Sequence, residues 1–354
     1  MKRLVEAKAD LEVKDENGWT PLMLSAAYGH LKCMQLLIHA KADLETRNAE
    51  GNSALMLTAT EGHDRCLQQL ISAKADIEAK DPEDRTALML ATVAGGPKCM
   101  KLLIAAKVDV RASDTKQIPA LLMAVVNRYA DRAKILIDAK ANIEAKNAFG
   151  RTALMFAVEE NDTKNVQLLL DAKVDVLVQD NTGHTALMVA AGLNHLNCLQ
   201  LLIDAKADLE AKNENQCTAL TWAAEEGHME CVTRLIASKA DIAAEDESGT
   251  QPLHAACVAG RTDTARELIA AKADLEAKCG TGKTPLMLAV AEGRSTTVRL
   301  LLDAKVNVEV GDIDNTTSLM IAAEVGYADC VQMLVDAKAN IDAQANNGGT
   351  ALIN

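Results

Sequence analysis

Two apolar spacings alternate along the chain and return in the same order from end to end. In "TPLMLSAAYGHLKCMQLLIHAKADLE", Thr20 to Glu45, a short apolar run precedes Gly29, and a second segment follows in which Met34, Leu37 and Ile38 share one face at i, i+3, i+4 spacing. Thr20 is a good N-cap and Pro21 suits a first helical position, so the run predicts a short helix ended by Gly29. The second segment predicts another helix. Ahead of the pair, "ADLEVKDENG" reads as a short extended stretch leading into a tight turn at Asn17-Gly18.

The period is 33 residues. It aligns Leu22, Leu55, Leu88, Leu121, Leu154, Leu187, Leu220, Leu253, Leu286, Leu319 and Leu352 in one column with no substitution. A second column holds Lys8, Lys41, Lys74, Lys107, Lys140, Lys173, Lys206, Lys239, Lys272, Lys305 and Lys338. A fixed period of this size implies an array in which no repeat buries its own apolar face and neighbours supply the stability. Ten complete helix pairs are expected, their first helices starting near Thr20, Ser53, Thr86, Pro119, Thr152, Thr185, Thr218, Gln251, Thr284 and Thr317. Residues 1–14 form a partial repeat that begins inside a second helix, 15–344 hold ten full repeats, and 345–354 form a partial repeat that stops inside a first helix. Neither end carries an atypical capping repeat, so a fragment of a longer array or of a multidomain protein is expected.

The copies "GWTPLMLSAAYGH", "GRTALMFAVEEND", "GHTALMVAAGLNH" and "GTQPLHAACVAGR" resemble the ankyrin repeat over essentially the whole chain. The resemblance implies an all-α, ankyrin-type solenoid of stacked helix pairs with projecting β-hairpin loops, elongated and curved. It also implies a noncatalytic protein-interaction scaffold that binds on a concave face of hairpin tips and short-helix ends. The other reading is a substrate-recruiting module of a larger enzyme, a ubiquitin ligase or a kinase. On the variable columns of that face stand Trp19, Tyr28, Arg85, Phe149, Arg151, Glu159, Glu160, His184, Glu225, Glu226, Lys283 and Glu292. Aromatic residues and arginine are common interface anchors, and Phe149 is the expected hot spot. Phe156 and Trp222 share a column otherwise filled by Leu, Met, Val, Ile or Ala and are expected in the core.

In the family pattern glycine follows the second helix, where this chain has lysine in eleven repeats of eleven. Either these lysines adopt a left-handed conformation at a cost of roughly 1–2 kcal/mol each, or the helix ends differently, with the lysine favoured by the helix dipole. Glu12, Glu45, Glu78, Glu144, Glu210, Glu276 and Glu309 recur four residues later and are expected to neutralise the lysine ladder. The next residue after the lysine is Ala in eight copies, with Leu or Ile two positions on. Where it is Val108, Val174 or Val306 the partner is also Val, as if both side chains fill one small site.

"AKCGTGKT", Ala277 to Thr284, fits a relaxed phosphate-loop pattern. The segment before it, "AAKADLE", is half charged rather than a buried strand, and Thr284 falls on the helix-capping column, so a turn and a cap are expected. Histidines His30, His63, His195 and His228 share one column, and these together with His254 read as makers of structural hydrogen bonds between repeats. The nine cysteines form no C-x-x-C pair, and six are separated by multiples of 33, too far apart for disulfides in a stack. Free thiols in a reduced, cytoplasmic protein follow, with no metal and no cofactor expected.

Only 2% of the residues are aromatic, while 49% are hydrophobic, which suits thin layers of small helices. The formal charge of −13 disfavours nucleic acid and anionic membrane surfaces and favours a basic segment of another protein as partner. The longest apolar run, "PALLMAVV", is far short of a membrane span, and "MKRLVEAKAD" lacks the core of a signal peptide. A monomer is expected.

Overall fold

The computed structural model describes residues 2–353. The chain divides into two compact segments, 1–175 and 176–354. Each is built only of helix pairs among its described residues, with no strand. The predicted caps hold: Thr20, Ser53, Thr86, Pro119, Thr152, Thr185, Thr218, Gln251, Thr284 and Thr317 are the N-cap residues of the ten first helices. In the first of these, Thr20 Oγ1 accepts the N–H of Met23 at 3.3 Å. Each second helix is nine residues long, as in Leu31–His39 and Leu196–Asp204.

The leucine column is the centre of both segments. From Leu22 to Leu319 every member is at most 2% exposed, whereas Leu352 is 94% exposed in a terminal turn. The expected first helix over the last residues is therefore absent. Residues 351–353 form a turn, too short to close successive i to i−4 bonds. At the other end, Lys2–Glu6 is a helix as expected.

Between pairs the chain makes a hairpin, and in five of these among the described residues the legs meet in a single antiparallel bridge, such as Lys146 with Thr152 or Gln179 with Thr185. The turn is held by an Asp or Asn at its base. Asn147 Oδ1 accepts the N–H groups of Phe149 and Arg151 at 3.0 Å each, and Asp246 Oδ1 does the same for Ser248 and Thr250 at 2.8 Å each. Such side-chain acceptors replace the ladder of a longer hairpin.

All eleven column lysines lie at positive φ, between 59° for Lys8 and 73° for Lys239. The helices thus end in the left-handed conformation that glycine adopts without strain. The expected pairing of the lysines with glutamates four residues later is not what forms. The seven glutamates reach one repeat onward instead: Glu12, Glu45, Glu78 and Glu144 accept the N–H groups of Asp43, Asp76, Asp109 and Asp175 in the first segment. Glu210, Glu276 and Glu309 accept those of Asp241, Asn307 and Asn340 in the second. Distances run from 2.7 to 2.9 Å. A backbone N–H just past a left-handed residue has no helical acceptor of its own, so this fixed donor takes the carboxylate in preference to a mobile, hydrated lysine ammonium.

Two more ladders join neighbouring repeats. Lys212 Nζ donates to the carbonyl of Glu245 and Lys278 Nζ to that of Gly311, each at 2.7 Å. His63 Nε2 lies 2.9 Å from the carbonyl of Ala27, and His228 Nε2 lies 3.0 Å from that of Gly192, so both histidines make the structural bonds expected of their column. Arg261 and Arg294 replace histidine and donate to Glu225 and Val258 carbonyls at 3.0 and 2.9 Å. The Ala/Val site after the lysine is buried in both segments, with Val108 5% and Val306 7% exposed; its partners Val110 and Val308 are half-buried.

One first helix departs from the pattern. Ala87–Leu90 continues as a π turn, Ala91–Gly95, ahead of Gly96 and Pro97. Gly95 lies so close under the carbonyl of Ala59 that a Cβ would overlap it, and the positive φ of 93° passes to Gly96. Arg132 donates to the carbonyls of Thr92 at 2.6 Å and Val93 at 2.9 Å, and stacks over the Tyr129 ring at 4.0 Å.

Candidate functional site

The exposed face of the first helices and the hairpin tips meet, because each tip folds back over the helix that follows it. In the first segment, Asp15 Oδ1 fixes the first tip by accepting the N–H groups of Asn17 and Trp19 at 2.9 Å. This sets the half-buried Trp19 beside Leu24 and Tyr28 of the helix face. Together with Asn17, Ala49 and Glu50 they line a groove of about 430 Å³. Its lining combines Trp19, Tyr28 (68% exposed) and Leu24 (38% exposed) with polar side chains, and its charged members, Asp15 and Glu50, are both acidic.

Further along the same segment the tip residues are engaged differently. Arg85 Nε donates to the fully covered Asp81 carboxylate at 2.7 Å and its Nη2 to the exposed Glu83 at 3.3 Å. Arg151 pairs with Glu159 at 2.8 Å and lies 4.5 Å over the Phe156 ring. Both arginines find a carboxylate within reach on their own repeat. Phe149 is 71% exposed at its tip, and Glu160 is exposed at the end of the helix.

In the second segment His184 and Trp222, from successive repeats, lie with ring centroids 4.8 Å apart. Asn213 Nδ2 contacts His184 Nε2 at 3.1 Å, His184 Nδ1 contacts Thr182 Oγ1 at 2.7 Å, and Thr182 Oγ1 contacts Asp180 Oδ1 at 2.7 Å. One assignment satisfies all three: Asn213 donates to Nε2, the Nδ1–H donates to the threonine hydroxyl, and the hydroxyl donates to the aspartate. Burial opposes ionisation of Asp180, yet the Thr182 hydroxyl, the His184 and Thr182 backbone N–H groups and the His184 ring outweigh it and hold its pKa below the usual value. Glu225 and Glu226 are exposed one turn from Trp222.

Phe156 and Trp222, expected in the core, are only half-buried. Several smaller members of their column are covered, as Leu57 at 7% and Ile321 at 6% exposed, whereas the larger rings reach past the covering neighbours. Trp222 spreads over Gly192, where a Cβ would come within 2.8 Å of the indole, and over His184. The pairing of a tip residue with a ring one repeat further on was the part the sequence could have shown, since His184 and Trp222 are separated by 33 plus the tip-to-helix offset seen within Arg151 and Phe156.

The phosphate-loop pattern resolves as a hairpin and a cap. The Cys279 N–H donates to the Lys283 carbonyl at 3.0 Å across the turn, the Gly280 N–H donates to Ser248 O at 2.7 Å, and Thr284 Oγ1 accepts the Met287 N–H at 3.4 Å. Among the described residues no group of three or more His, Cys, Asp or Glu is placed to hold a metal, and no helix is long and apolar enough to cross a membrane.

The family model for ankyrin repeats matches residues 1–81, 40–114, 56–147, 121–213, 206–279 and 271–347. The chain belongs to the ankyrin repeat family. Its matches run through both ankyrin segments, and the repeats seen in the structure are those of the family. Among solved structures it is similar to the ankyrin repeat domain of Bcl-3, described as a unique member of the IkappaB protein family. The likeness has 28% identity and a TM-score of 0.55, over 58% of this chain and 94% of that one. Among curated proteins none matches the sequence. Ankyrin repeats are in general protein–protein interaction modules, which makes protein binding the broad role of this array.

Proposed function

We propose that this ankyrin array is a noncatalytic scaffold whose hairpin tips and short-helix faces hold a basic segment of a partner protein. The observation that carries the reading is the groove at Trp19, Leu24 and Tyr28, where two aromatic side chains share a largely polar lining whose charged members are Asp15 and Glu50. A lysine or arginine side chain fits both features at once, its stem and charge against the rings and its head toward the carboxylates. The formal charge of −13 adds long-range attraction for the same kind of partner. Phe149 offers a second apolar contact in this segment, and Glu159 and Glu160 add negative charge near it. In the second segment His184, Glu225 and Glu226 supply the corresponding contacts beside Trp222. The free thiols suit a reducing compartment, the cytoplasm.

The test is a captured and identified partner whose affinity is then measured against Tyr28→Ala, Phe149→Ala and Glu50→Lys. Loss of an anchor ring costs on the order of 2 kcal/mol, about thirtyfold in Kd, and the charge reversal should cut the association rate most strongly at low salt. A partner that binds all three variants as well as the parent would overturn this reading.

A further inference from the structure

The glutamate ladder has one break in the first segment that reverses its charge. Where the other repeats of that segment place Glu12, Glu45, Glu78 and Glu144, the fourth repeat has Arg111. The N–H that a glutamate would receive there belongs to Asn142. Among the described residues it finds no acceptor, although the equivalent N–H groups of Asp109 and Asp175, one repeat to either side, each donate to a carboxylate at 2.7 and 2.8 Å. The vacant position opens into a groove of about 730 Å³. Arg111, Lys140 and Asn142 line it, with Ile137, Ala141 and Ile143 as its apolar side and Asp138 as its acidic member. Arg111 makes no ion pair among the described residues; its own N–H donates to Asp109 Oδ1 at 2.8 Å, which leaves the guanidinium unspent.

We infer that this groove receives the carboxylate of an acidic side chain from a partner protein, in the place that the array's own glutamates occupy in neighbouring repeats. The array itself supplies the precedent: seven times a carboxylate oxygen takes the N–H at this position. At Asn142 the internal donor remains and the internal carboxylate is replaced by a guanidinium, whose planar fork suits a carboxylate bidentately. Lys140, held at a φ of 65° by the helix end, adds a second positive charge on the same wall. Ile137 and Ile143 give the aliphatic stem of a glutamate a dry surface. Two other gaps in the ladder, Leu177 and Ala243, bring no cation. The inference goes beyond the proposed function: it concerns a different surface and the opposite sign of charge, and it stands or falls without the tip groove.

The test uses the full chain labelled with ¹⁵N-asparagine, the Asn142 amide being assigned by its loss in Asn142→Asp. The probe is the capped peptide acetyl-Ala-Ala-Glu-Ala-Ala-amide at low ionic strength, with the Gln counterpart as control. The Asn142 resonance should move in a saturable way with the Glu peptide, weaken with added salt, and stay still with the Gln peptide. Arg111→Ala should weaken the response about tenfold. Arg111→Glu restores the residue used in the other repeats, so it should fold, place the Asn142 amide at its saturated position without peptide, and abolish the response. Equal shifts with Glu and Gln peptides, or an undiminished response in Arg111→Glu, would overturn the inference. So would tighter binding of inorganic phosphate, or of the all-alanine peptide with a free C-terminus, since either would identify a different ligand.

Discussion

Glu78 Oε1 accepts the N–H of Asp109, thirty-one residues further on, at 2.7 Å. This bond joins two repeats through a backbone donor that would otherwise face water. Glu78→Ala should therefore lower stability by about 1 kcal/mol. The reciprocal change is more telling: Ala243→Glu supplies the carboxylate that the Asp274 N–H lacks and should raise the melting temperature. If Ala243→Glu is neutral and Glu78→Ala costless, the ladder contributes nothing to folding.

Each column lysine is held in a left-handed conformation, Lys272 at a φ of 69°. The conformation costs a non-glycine residue roughly 1–2 kcal/mol, and glycine returns part of the gain through its looser unfolded chain, roughly 0.5–1 kcal/mol. Lys272→Gly should stabilise the protein by up to about 1 kcal/mol, and Lys206→Gly together with it by about twice that. A fall in the denaturant midpoint for both would show the lysines to be unstrained.

His254 is completely buried, with Nε2 3.0 Å from the Ala277 carbonyl and Nδ1 accepting the Gln251 N–H at 3.2 Å. Burial dominates and lowers its pKa from the ordinary 6.5, although the nearby carbonyls and the acidic Asp246 and Glu245 pull the other way. The unfolded chain thus takes up a proton first as pH falls. The stability tied to His254 is complete above about 6.5 and declines as pH drops below it toward the folded pKa. Thermal melts between pH 7 and 5 should show this decline, and His254→Leu should flatten that part of the profile while losing both hydrogen bonds.

Burial pushes the thiol of Cys257 up to about 12 and those of Cys99 and Cys231 up to about 11. Thiolate is the reactive form. With native protein, a disulfide reagent at pH 8 should modify the half-buried Cys33 and Cys279 first and Cys217, its pKa also raised by burial, more slowly. The six buried thiols should react only after denaturant is added. Rapid modification of Cys99 or Cys257 in the native state would contradict the packing described.

The repeat, its phase and the starts of the ten first helices could be read from the sequence because the signals are local: a capping hydroxyl, a proline, a glycine and a leucine that must be covered. The left-handed lysines were legible as a conflict between residue type and position. The glutamates were misjudged because spacing along the chain pairs Glu45 with Lys41, whereas its acceptor role is met by Asp76 in the next repeat. The same limit applies at the tips. Arg85 and Arg151 have the residue type of anchors, but only geometry shows the carboxylates of Asp81 and Glu159 already holding them. The vacancy at Asn142 is visible in sequence as Arg111 once the ladder is known, and not before.

The polar rungs just described span 31 to 36 residues, from Glu78 with Asp109 to His63 with Ala27, and so reach no further than the adjoining repeat. An in-phase duplication or excision of 33 residues therefore sets each donor against the same column of an adjoining repeat. Genetic recombination can lengthen or shorten this protein without breaking the rules by which it folds, and a surface feature such as the one at Arg111 can be copied, moved or lost as a single cassette.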